Sequence, residues 1–135
     1  MHKTPEEILK THWGYDGFRG SQKRIIRAAL DGSDVMALMP TGGGKSLCYQ
    51  VPALVLPGVC IVISPLLALM EDQVNDLRGR GIRALSLSGK LKPEDLTRLL
   101  DNVAFGKYDL LYVSPERLQQ ETVISRLIQL VGERD

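Results

Sequence analysis

The run MPTGGGKS, residues 39–46, carries the clearest chemistry in this sequence. Glycines let a backbone curl until successive N–H groups point at phosphate oxygens. Lys45 can reach the β- and γ-phosphates of a nucleoside triphosphate, and the Ser46 hydroxyl can ligate Mg²⁺. The strict phosphate-loop pattern asks for glycine where this chain has Met39. The reading therefore rests on Thr41, Gly42, Gly43, Gly44, Lys45 and Ser46, with Lys45 as the catalytic cation and Ser46 facing the metal.

Upstream stand Tyr15, Arg19 and Gln22. A glutamine amide offers one donor and one acceptor, which matches N6 and N7 of adenine and mismatches guanine. Tyr15 and Arg19 can sandwich a base by stacking and cation–π contact. Taken alone, Trp13, Tyr15 and Phe18 also fit a plain core role. With a phosphate loop downstream, adenine recognition is the better reading, and ATP with Mg²⁺ the expected ligand.

A phosphate loop needs a strand before it and a helix after it. Residues 34–39, 59–63, 84–87 and 110–113 are short apolar runs that predict buried strands. Between them, residues 21–30, Lys45 onward, 66–77, 93–105 and 116–130 predict helices. Strand and helix in alternation predict an α/β fold, a parallel sheet flanked by helices. Thr4–Pro5, Ser64–Pro65 and Ser114–Pro115 each place a capping hydroxyl before a proline at a helix start. Glu94 and Asp95 behind Pro93 suit the positive end of another helix. The two later Ser–Pro sites follow strands, where open α/β sheets bind ligands, and free helix N–H groups suit phosphate. On these residues alone, plain capping is the better explanation.

The 135 residues suffice for one domain with a core, and 44% hydrophobic content argues against disorder. A formal net charge of +1 lacks the basic excess of many nucleic-acid binders, so any such contact must rest on local placement. Cys48 and Cys60 read as buried reduced thiols, and His2 and His12 as solvent-facing. No apolar signal core opens the chain, and the run 51–63 is broken by Pro52, Pro57 and Gly58. The expectation is a soluble cytoplasmic protein with no membrane contact, associated with the nucleoid if bacterial.

Residues 9–26, the run MPTGGGKSLCYQVPAL at 39–54, ISPLLALMEDQV at 63–74 and LYVSPERL at 111–118 resemble the opening of a RecQ-type superfamily 2 DNA helicase. The likeness covers nearly the whole chain in order and approximate spacing. It implies a RecA-like lobe, incomplete at its C-terminal end, within one domain. Residues 1–31 would hold the adenine segment and first helices, and 32–135 the core up to motif Ib. It implies that Tyr15, Arg19 and Gln22 read adenine. Ser64, Pro65, Gln73, Ser114, Glu116 and Arg117 would contact single-stranded or partly duplex DNA. It implies 3′-to-5′ unwinding. The family usually has proline where this chain has Gly20, a change expected to loosen the turn without moving Gln22.

Hydrolysis needs a carboxylate at the end of another strand to hold Mg²⁺ and orient water. Glu71–Asp72 imitates the family's Asp-Glu pair, in reversed order and inside a predicted helix with Asp72 and Gln73 on its exposed side. The expectation is a fragment that binds ATP weakly, turns over essentially none and self-associates through exposed strand edges. Two other readings stay open. A different P-loop enzyme, such as a small-molecule kinase, would have no use for the Gln22 segment. The other is a truncated, non-enzymatic module that binds DNA or a partner helicase without hydrolysis.

Overall fold

The computed structural model describes residues 3–39, 44–87 and 91–134. They form two compact units, residues 1–57 and 58–135.

The first unit packs three helices: α1 (Pro5–Trp13), α2 (Gln22–Leu30) and α3 (Leu47–Val55). The Thr4 hydroxyl caps α1, accepting from the Glu7 N–H at 3.2 Å. Ile8, Leu9, Ile26, Leu47 and Val51 form the shared core, with Trp13 and Phe18 packed against it. Those two aromatics therefore do take the core role, whereas Tyr15 is exposed. His12 is half-buried rather than solvent-facing, because its ring meets that of Trp13 edge-on at 6.1 Å. His2 lies outside the described residues.

The strand expected over residues 34–39 does not form, and Met36 and Leu38 stand more than nine-tenths exposed. An apolar run is a strand only when another strand completes its hydrogen bonds, and no described strand pairs with this one.

The second unit is built on three parallel strands in the order β1-β3-β2, with β1 at Cys60–Ile63, β2 at Ala84–Leu87 and β3 at Leu110–Val113. The helices are α4 (Leu67–Gly79), α5 (Pro93–Ala104), α6 (Pro115–Leu118) and α7 (Glu121–Arg134). The central strand β3 is buried at all four positions. On one face Leu85, Leu87, Leu111 and Val113 pack with Leu96, Leu100 and Val103 of α5 and Val123, Leu127 and Leu130 of α7. Period-2 alternation turns Leu110 and Tyr112 to the opposite face. Arg83, entering β2, clamps Asp109 before β3 with contacts at 2.8 and 3.2 Å. This is a small RecA-like α/β arrangement of parallel strands and helices.

Two boundaries differ from expectation. Helix α4 starts at Leu67, not at Ser64–Pro65, because the Ser64 hydroxyl accepts from the Leu66 N–H at 3.2 Å and closes a local turn instead. The helix expected over residues 116–130 is two, α6 and α7, broken at Gln119–Gln120.

Candidate nucleotide-binding site

The first unit brings the segment around Gln22 against Gly44, which precedes Lys45. Gln22, the first residue of α2, is 1% exposed. Its Oε1 accepts from the Arg19 backbone N–H at 2.8 Å, and its Nε2 donates to the Gly44 carbonyl oxygen at 3.1 Å. One lone pair and one N–H of the amide are not used by any other described residue. Tyr15 and Arg19 are both exposed.

Gly44 sits at φ +75°, and a Cβ there would come within 2.2 Å of Gln22 Nε2. Only glycine satisfies both constraints. Gly20 is at φ +52°. A proline, locked near −65°, could not take that conformation, so the departure at Gly20 selects a left-handed turn rather than a looser one. The turn still delivers Gln22, whose backbone N–H donates to the Arg19 carbonyl at 3.1 Å.

Beyond Gly44, Lys45 is exposed and Ser46 half-buried at the start of α3. Among the described residues no side chain caps α3, and no acid occupies its first turn, so its positive end suits phosphate. Thr41, Gly42 and Gly43 lie outside the described residues. No group of three His, Cys, Asp or Glu that could cage a metal exists among the described residues.

Cys48 supports the loop from α3, a role the sequence reading missed. Its Sγ lies 4.0 Å from the Gly44 oxygen and 3.8 Å from Met39 Sδ. Cys48 is buried and Cys60 only half-buried, against the expectation that both would be buried. Loss of hydration raises both thiol pKa values.

In the second unit, Ser64 and Ser114 follow neighbouring strands, and the Ser64 N–H donates to the Val113 carbonyl at 3.2 Å. Ser114 is buried, and its hydroxyl caps α6 by accepting from the Arg117 N–H at 3.4 Å. Arg117 is 9% exposed, with Nη1 donating to Gln120 Oε1 at 3.1 Å. Pro65 and Glu116 are exposed. On α4, Glu71 and Asp72 are exposed while Gln73 is half-buried and bonded rather than outward. The sheet thus gathers Ser64, Ser114 and Arg117 at its carboxyl end.

The sequence pattern of DEAD/DEAH box helicases matches residues 19–132. The chain belongs to the DEAD/DEAH box helicase family. Its relatives are of RecQ type. It is 45% identical over 115 residues to "ATP-dependent DNA helicase RecQ" of Haemophilus influenzae, covering 85% of this chain and 19% of that protein. It is 42% identical to "Probable ATP-dependent DNA helicase RecS" of Bacillus subtilis, covering 90% of this chain and 24% of that protein. It is 45% identical to "ATP-dependent DNA helicase hus2/rqh1" of Schizosaccharomyces pombe, covering 93% of this chain and 10% of that protein. The chain spans a quarter or less of each of these three relatives. No helix among the described residues is long and apolar enough to cross a membrane.

Proposed function

We propose that this chain is the ATP-binding part of the first motor lobe of a RecQ-type 3′-to-5′ DNA helicase, its two compact units serving as one domain. The observation that carries the reading is the contact of Gln22 with Gly44. It joins a base-reading amide to the glycine next to Lys45. A phosphate loop serving a small-molecule kinase has no need of that link.

In this reading Tyr15 and Arg19 hold the adenine ring. The free lone pair and N–H of Gln22 meet its N7 and N6. Gly42, Gly43, Gly44 and Thr41 bind phosphates, Lys45 neutralises charge developing on the transferred phosphoryl, and Ser46 holds Mg²⁺. Bound ATP supplies the free energy of stepping. DNA phosphates meet the sheet's carboxyl end at Ser64, Pro65, Gln73, Ser114, Glu116 and Arg117. The relatives' names support DNA as the partner and ATP as the fuel. Such a motor works where the chromosome is: the cytoplasm, at the nucleoid in a bacterium.

The 135-residue chain alone turns over essentially no ATP. Hydrolysis needs a strand-end carboxylate, whereas β1, β2 and β3 each lead into a serine. Glu71 and Asp72 lie on α4 instead.

The test is Mg²⁺-nucleotide binding, ATP against GTP, with Lys45→Ala and Gln22→Ala. ATP should bind better, Lys45→Ala should abolish binding, and Gln22→Ala should erase a preference worth roughly 1–3 kcal/mol. Equal binding of ATP and GTP would remove the adenine assignment. DNA-stimulated turnover by this chain would refute the claim of inactivity.

A further inference from the structure

A second cavity lies in the unit 58–135, between the first turns of α5 and α7. Its volume is about 450 Å³, within the range of about 300–1,000 Å³ typical of small-ligand pockets. Leu91, Pro93 and Leu96 give it an apolar wall. Around them stand three donors with no partner among the described residues: the hydroxyls of Thr97 and Thr122 and the side-chain amide nitrogen of Gln120. Two charges line it, Arg117 and Glu121, and they cancel.

That lining selects its ligand. A phosphate buried inside would face Glu121 and an apolar wall, which is a poor anion site. A neutral planar ring with a polar edge fits better, because its faces meet the apolar wall and its edge meets the donors. Arg117 stands at the junction of the cavity with the sheet's carboxyl end. It is held at its backbone by the Ser114 cap and at its guanidinium by Gln120. A cation fixed in this way suits the phosphate attached to such a ring.

We infer that the α5–α7 cavity seats one nucleobase of a single-stranded nucleic acid, turned out of the strand, with its phosphate against Arg117. The inference rests on the reading of Ser114 and Arg117 as nucleic-acid contacts, and it adds a base subsite to backbone contacts. Unstacked bases of single strands are the part of a nucleic acid that a protein can take into a pocket and bond at the edge; here leucine and proline faces stand where an aromatic ring often does.

The experiment compares binding of a fluorescent dT oligonucleotide and an abasic oligonucleotide of equal length to the full chain, at one fixed salt concentration. The expected result is about tenfold tighter binding of the base-bearing strand. Thr97→Trp places an indole into the cavity from an exposed position, and its urea midpoint checks that the fold persists. In that variant the two oligonucleotides should bind equally. Equal binding to the wild-type chain overturns the base subsite while leaving nucleic-acid binding intact. So does a preference that survives Thr97→Trp in a folded protein. Failure of both oligonucleotides to bind overturns the subsite and the DNA reading together.

Discussion

Gln22 Nε2 donates to the Gly44 carbonyl oxygen at 3.1 Å, across 22 positions of sequence, and the bond fits only because residue 44 lacks a side chain. One amide thereby contacts both the segment that would read a base and the loop that would hold its phosphates. In this geometry, loss of either partner disturbs both tasks.

Gly44→Ala tests this coupling. The added methyl group would lie 2.2 Å from Gln22 Nε2 at a backbone φ of +75°. Gln22 must then withdraw, giving up its bond to the half-buried Gly44 carbonyl at a cost of about 1–3 kcal/mol. Isothermal titration should show ATP affinity falling at least about tenfold, consistent with that cost. Undiminished affinity would mean that the Gln22 link is dispensable.

The two serine–proline sites should differ in their effect on stability. Ser114 is a buried helix cap, and Ser114→Ala should cost about 1 kcal/mol. Ser64 closes a local turn and caps no helix, so Ser64→Ala should cost less. Urea unfolding of both variants measures the order, and equal losses would contradict the geometry.

The cysteines give a pH dependence. Desolvation raises the pKa of Cys48 and of Cys60 in the folded chain. A folded thiol that keeps its proton longer than the unfolded one stabilises less as pH rises through the thiol range. Stability should therefore be full below the ordinary thiol pKa and decline above it. At pH 8, iodoacetamide should label both thiols more slowly in the native chain than in urea, because thiolate is the reactive form. Native labelling at the unfolded rate would show that burial does not protect them.

The outer edge of β1 has no ladder partner among the described strands, and Ile63 is 57% exposed. Open apolar edges recruit further strands. Sedimentation at rising concentration should show self-association of the chain, and Ile63→Lys should shift it toward monomer. A monomeric profile throughout would remove this expectation.

Local chemistry made much of the fold legible. Alternating apolar runs marked β1, β2 and β3 to within a residue, because a buried strand needs little more than a short hydrophobic run between turns. Proline after a hydroxyl marked the starts of α1 and α6, where the cap bond is made three residues away. The same signal failed at Ser64, since a serine hydroxyl can close a turn two residues on as readily as it caps a helix three residues on. The run 34–39 failed for a different reason. A strand is a relation between two segments, and hydrophobicity specifies only one of them.

The sequence by itself determined that a glycine-rich run ending in Lys45 and Ser46, an upstream glutamine and two Ser–Pro pairs lie along this chain at these spacings. These are statements about residue type and position, and short-range physics suffices for them. Tertiary structure decided that Gln22 is buried against Gly44, that Ser64 and Ser114 share the carboxyl end of one sheet, and that Arg117 borders a cavity between α5 and α7. Those relations join residues far apart in the chain, and packing and backbone hydrogen bonding fix them once the helices and sheet have closed on their cores.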